Sequence, residues 1–136
     1  MTEQVEIDEA RKAAQAFFDE MLEWEVWSGE VWDDEDQDEP RREKLKDIFE
    51  KHLSKKALQR DQARYDSLSI QEPSEFSEKI MAAEDAGKDK VWVYVAAGIV
   101  GGRARYLLVR EDGNWKVDTR ESDMGNAGRW AKEPHL

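Results

Sequence analysis

The stretch KVWVYVAA, Lys90 to Ala97, alternates Val91, Val93 and Val95 against Trp92, Tyr94 and Ala96. A period of two is the period of a strand. Both faces of this segment are apolar, so it is expected inside a sheet, partly covered on both sides. Before it, EKIMAAED (Glu78–Asp85) reads as a further strand, closed by a turn at Ala86-Gly87-Lys88-Asp89. After it, Gly98, Gly101 and Gly102 punctuate a turn, and ARYLLVR (Ala104–Arg110) reads as the next strand. Asp112-Gly113 is a hairpin signal. It leads into NWKVDTRE (Asn114–Glu121), where Trp115 and Val117 are expected on one face, Lys116 and Asp118 on the other. Four antiparallel strands in meander order follow from this pattern.

Upstream the period is helical. Ile7, Ala10, Ala14, Phe17, Phe18, Met21 and Trp24 recur at the spacing of one helix face. A long amphipathic helix is predicted to end near Ser28-Gly29, with Val31 and Trp32 able to add a turn. Pro40 suits the first turn of a second helix, whose apolar stripe is Leu45, Ile48, Phe49, His52 and Leu53. Ser54 either caps a short third helix or lies within the second. Residues 61–77 are weakly periodic, with a short extended piece at Leu68–Ile70 and a break at Pro73. Helices segregated from an antiparallel sheet define an α+β fold. The expected form is a curved, cone-like antiparallel sheet of about four strands with the N-terminal helices packed on its concave face. Residues 1–136 read as a single domain.

There is no cysteine, so disulfides and thiolate metal sites are excluded. No basic start precedes an apolar run, and no apolar stretch approaches the ~20 residues needed to span a bilayer. The default location is the cytoplasm. The net charge of −11 is concentrated: residues 1–40 hold 15 acids and 2 bases, while residues 41–136 carry a net charge of +2. That distribution argues against nucleic-acid and anionic-membrane partners, which call for basic patches. It fits a basic protein partner, because a concentrated field of one sign steers association.

The acid excess peaks at Asp33, Asp34, Glu35, Asp36, Asp38 and Glu39, interrupted by Gln37 alone. Asp34, Asp36 and Asp38 match the first ligand positions of a calcium loop. Glu39 stands where glycine is required and Leu45 where the bidentate glutamate is required, so no metal site is read here. Trp27 and Trp32 border the run. Tryptophans rimmed by charge are typical interface anchors. Trp27, Trp32, Asp33, Asp34, Glu35, Asp36, Asp38 and Glu39 are therefore the candidate partner-binding residues; a solvated acidic loop with the tryptophans packed beneath it is the plain alternative. His52 is expected at a helix boundary or among apolar neighbours, without a carboxylate set up for proton transfer; His135 adjoins the C-terminus. An aspartate base with a tyrosine donor is the pattern of some cone-pocket enzymes. Tyr94, Tyr106, Asp118 and Asp47 are the residues available for it, although Tyr94 reads as core packing and Asp118 as a partly solvated strand face. No phosphate loop, dinucleotide fingerprint or nucleophile elbow is present, and no cofactor is called for.

ARKAAQAFFDEMLEWE (Ala10–Glu25), with its Phe17-Phe18, Glu20-Met21 and Trp24-Glu25 steps, resembles the opening helix of bacterial immunity proteins with a nuclear transport factor 2-like fold. LKDIFEKHLSKK resembles their second helix with its basic end, Lys55-Lys56. KVWVYVAA and RYLLVREDGNWKVDTRES resemble their closing hairpin. The resemblance runs from about Ala10 to Trp130, with gaps around residues 29–40 and 59–77. It implies a non-enzymatic protein of polymorphic toxin systems, encoded beside a toxin, that binds and neutralises it in the producing cell. A basic nuclease toxin would suit the acidic run. The rival readings are a small-molecule-binding or lyase/isomerase-type member of the same superfamily, and a scaffold that dimerises through the outer sheet face. Monomer and homodimer are both compatible with the sequence.

Overall fold

The computed structural model describes residues 4–31, 33–60, 79–96, 103–123 and 130–132. Trp32, Leu68–Ile70, Pro73, Gly98, Gly101, Gly102 and His135, singled out above, lie outside the described residues. The elements are α1 (Gln4–Glu30), a 3-10 turn (Glu35–Gln37), α2 (Asp38–His52), α3 (Lys55–Arg60), β1 (Ile80–Gly87), β2 (Lys90–Ala96), β3 (Arg103–Glu111), β4 (Asn114–Asp123) and β5 (Ala131–Lys132). The strands form one curved antiparallel sheet in the order β1-β2-β3-β4-β5. The meander is as expected, but it has five strands. The two-residue β5 carries no periodicity of its own and is a strand because it pairs with Glu121 and Ser122.

α1 exists because its apolar stripe finds the inner face of the sheet. Ala10, Ala14, Phe17, Phe18, Met21 and Trp24 are buried with Val91, Val93, Val95, Ala104, Tyr106, Leu108, Trp115 and Val117 in one core cluster. The Phe18 and Tyr106 rings meet at 4.9 Å. α1 runs antiparallel to β3: Arg110 Nη1 donates to Glu6 Oε1 (3.2 Å) at one end, while Phe18 reaches Tyr106 nearer the other. The helix continues one residue beyond Gly29. Ser28 is buried and accepts from Arg41 of α2, so the terminus is set by a contact between helices.

α2 ends where Leu53 turns extended (φ −93°, ψ 149°). Ser54 then caps α3: its Oγ accepts from the Ala57 amide at 3.1 Å, the bond an N-cap residue is suited to make. Asp112 and Gly113 both have positive φ, as the β3–β4 hairpin turn requires.

The expected alternation on β4 holds at Trp115 and Val117, then breaks. Leu107 faces Thr119 while Leu108 faces Val117, so Asp118 is an extra residue in a β-bulge. The bulge turns Asp118 inward, and it is buried rather than solvated. Its Oδ1 accepts from Ser54 Oγ (2.6 Å) and its Oδ2 from Thr119 Oγ1 (2.7 Å). The Ser54 amide donates to Val117 O at 3.0 Å, so this point joins the helices to the sheet.

Phe17 is fully buried. Phe17→Ala is expected to lower the unfolding free energy by about 3–5 kcal/mol, through lost transfer energy and the cavity left behind. Lys12→Ala, on the exposed face of α1, should stay within about 0.5 kcal/mol of wild type. Urea denaturation of the two variants checks both.

Candidate functional site

The acidic run sits at the junction of α1 and α2, and local chemistry explains how so many carboxylates are tolerated there. Val31 and Asp33 form the turn after α1. Asp34 is the N-cap of the 3-10 turn, its Oδ1 accepting from the Asp36 amide at 3.0 Å. Asp38 and Glu39 occupy the first turn of α2. Carboxylates there oppose the partial positive charge of the helix N-terminus. Asp38 and Glu39 also face Arg41 and Arg42 one turn on, at 3.6 Å and 3.0 Å. The run is thus divided. Asp38 and Glu39 are engaged with the start of α2. Asp33, Asp34, Glu35 and Asp36 are exposed and form no ion pair among the described residues. The run is a turn followed by the starts of two helical elements, the 3-10 turn and α2.

The junction is held from below by Trp24 and Arg41. The Trp24 indole N–H donates to the Arg41 carbonyl at 2.9 Å. The Arg41 Nε donates to Ser28 Oγ at 2.5 Å, and its guanidinium lies 5.8 Å from the Trp24 ring centroid. Arg41 is 3% exposed. Sequence reading passed over it, although it lies four residues before Leu45 and seven before Ile48, on the same helix face. Trp27 is half-buried and packs against the core.

His52 departs from expectation. It is buried at the end of α2, near Phe17 (5.8 Å between ring centroids), but it does have a carboxylate partner. Its Nε2 contacts Glu20 Oε2 on α1, while Lys51 Nζ donates to Glu20 Oε1 at 2.7 Å. The pairing was not legible because Glu20 lies 32 residues away. Burial holds the imidazole below its ordinary range, outweighing the carboxylate, and Lys51 and Lys116 push the same way. An ionised carboxylate can only accept, so the Nε2 facing Glu20 is the ring nitrogen that donates. Burial opposes ionisation of Glu20, but hydrogen bonds from Lys51 and His52 win and hold it below the usual range. His52 also lines an open cleft of about 540 Å³ with Glu9, Ala13, Lys51 and the hairpin residues Gly113 to Lys116.

The tyrosines and aspartates considered for acid–base chemistry are not brought together. Tyr106 lies on the inner face against Phe18. Tyr94 lies on the outer face, where its hydroxyl donates to Glu84; burial and that carboxylate push its pKa up. The core assignment for Tyr94 is corrected accordingly. Asp118 is engaged with Ser54 and Thr119, and Asp47 is exposed on α2. No group of three or more acidic or histidine side chains that could hold a metal occurs among the described residues.

The outer face carries one feature that the alternation did not reveal. The Arg105 guanidinium lies 3.9 Å from the Trp92 ring centroid and 4.3 Å from that of Trp130. Its Nε donates to Glu121 at 2.9 Å. This stack holds Trp130, and β5 after it, against the sheet.

The family model described as NTF2 fold immunity protein matches residues 9–134. The chain belongs to this family. The match spans both stretches, 29–40 and 59–77, where the resemblance of individual motifs lapsed. No curated protein and no solved structure matches the chain. Membership in the immunity family agrees with the helix-on-curved-sheet architecture and supports an immunity role. Among the described residues no helix is long and apolar enough to cross a membrane.

The acid dependence of stability follows from three shifts. Glu20 and Asp118 are held below the ordinary carboxylate range; for Asp118 burial is outweighed by hydrogen bonds from Ser54 and Thr119. Their contribution is present above the unfolded-state carboxylate pKa and is lost as pH falls through the folded values. His52, also depressed, must be charged at a cost as pH drops below the ordinary imidazole range. All three signs agree. Stability is expected to fall steadily from about pH 7 to about pH 3, and Asp118→Asn should flatten the lower part of that decline. Urea titrations at stepped pH measure it.

Proposed function

We propose that this immunity-family chain binds a cognate toxin in the cytoplasm of the cell that makes both, and neutralises it by occupying its working surface. The chain acts by binding and supplies no chemistry of its own. One observation carries the reading beyond family membership: four exposed carboxylates, Asp33 to Asp36, without ion-pair partners among the described residues, at the end of a helix pair. Such a cluster favours a basic partner. A toxin that cuts nucleic acid must hold phosphate with basic residues, and clustered carboxylates can occupy or steer toward that surface. In this reading Trp27 and Trp32 supply desolvated contact area, while Asp33, Asp34, Glu35, Asp36, Asp38 and Glu39 supply the field. Nucleic acid and membrane are not its partners.

Replacing Asp33, Asp34 and Asp36 with Asn and Glu35 with Gln should leave folding nearly intact, since Asn also serves as an N-cap. Association with the toxin encoded beside the gene should slow, most of all at low salt, because screening shortens the reach of the field to about 8 Å at physiological ionic strength. Trp32→Ala should instead raise the dissociation rate by about tenfold or more. Stopped-flow association across a salt series is the measurement. If the four-site variant associates as fast as wild type at low salt, the acidic run is not the steering surface. Docking on the outer sheet face around Trp92, Tyr94 and Trp130 is then the reading to pursue.

A further inference from the structure

Beside the acidic run, α1 and α2 enclose a depression of about 270 Å³ lined by Glu23, Trp24, Trp27 and Lys44. Its floor is rigid: the Trp24 ring is buried and its indole N–H is fixed on the Arg41 carbonyl. Trp27 is the half-buried wall. On α1, residues three and four apart share a face, so Glu23, Val26, Trp27 and Glu30 form one stripe. Val26 is 57% exposed, one of the few large apolar side chains in the described residues left in water. Glu23 and Glu30 are exposed and make no ion pair among the described residues. An aromatic wall and the Glu23 carboxylate in the lining, with Val26 and Glu30 on the same stripe of α1 beyond it, are suited to a side chain with a long apolar stem and a cationic head. The stem would lie along Val26 and Trp27, with the head between the carboxylates and over the indole face. Lys44 is the one cation in the lining, and the carboxylates of Asp33 to Asp36 follow directly in the chain.

We propose that this depression receives a lysine or arginine side chain of the partner protein and is the anchoring subsite of the interface, distinct from the acidic run that steers approach. The biological identity of the partner rests on the toxin-binding reading; the chemistry of the subsite does not.

Two measurements separate them. In the first, N-acetyl-argininamide, N-acetyl-lysinamide and the uncharged N-acetyl-norleucinamide are titrated into nitrogen-15-labelled protein. The Trp27 indole signal, assigned with Trp27→Phe, is followed. The cationic amides should displace it in a saturable way, Glu23→Gln should weaken the effect several-fold, and the neutral amide should do little. Equal displacement by the neutral amide, or none by any, overturns the proposal. In the second, Glu23→Gln with Glu30→Gln should raise the rate of dissociation from the toxin about tenfold or more. The melting temperature should be unchanged, since both side chains are exposed. Unchanged dissociation in a variant whose wild type binds also overturns the subsite. A positive amide titration with no binding of wild type to the toxin sustains the subsite and removes the toxin reading instead.

Discussion

The structure depends on one constraint: α1 must bury an aromatic stripe, and the inner face of the sheet is what receives it. Phe17, Phe18, Met21 and Trp24 are at most 3% exposed. Large apolar side chains of this kind contribute roughly 1.5–3 kcal/mol each on burial. Their spacing lays the helix across the inner face of the sheet, in contact with β1, β2 and β4. The geometry has a further result. A helix of 27 residues is about 40 Å long at about 1.5 Å per residue. A strand of 9 residues spans about 30 Å at about 3.3 Å per residue. Only part of so long a helix is needed to bury the stripe on the sheet, since Ala10 to Trp24 carry it. Its C-terminal turns are tied to α2 through Trp24, Ser28 and Arg41, and the acidic junction stands at that end of the helix.

That position bears on function through charge. Carboxylates concentrated in the first 40 residues would be costly if they faced the core, where an unpaired charge loses its hydration. At a helix junction in water they are compatible with folding. Asp34 caps a turn, Asp38 and Glu39 oppose a helix N-terminus, and Arg41 and Arg42 neutralise part of the cluster. The surplus that remains is a field available to a partner. A field of one sign acts on the rate of encounter with a partner, whereas desolvated aromatic contacts act on dissociation.

Where polar groups are buried, they hold elements together. Ser54 does three things at once: it caps α3, donates to Asp118 and pairs its amide with Val117. Glu20 gathers Lys51 and His52 and so ties α1 to the end of α2. On the outer face, Arg105 between Trp92 and Trp130 holds the last strand in place, with Glu121 satisfying the guanidinium. Each is a satisfied arrangement, as buried or half-buried polar groups require.

The sequence by itself determined the α+β class, the first two helices, the meander order and the Asp112-Gly113 turn, and left open whether Ser54 caps a third helix. These rest on local periodicity, capping and turn chemistry, which act within a few residues. It also determined the family and the acidic surplus, since both are properties of residue order alone. Tertiary structure decided the rest. The Asp118 bulge is invisible locally because the hydroxyl that Asp118 accepts from belongs to Ser54, 64 residues away. The Glu20–His52 pair joins two helices whose mutual rotation only packing sets. Arg41 reads as a surface residue until Trp24 and Ser28 are seen to need it. Tyr94 and Trp92 alternate correctly with the valines, yet which side of a strand meets the helices is a choice periodicity cannot make. The depression beside Trp27 likewise needs two helices to exist. Periodicity describes one element at a time, whereas burial, pairing and pockets belong to the contacts between elements.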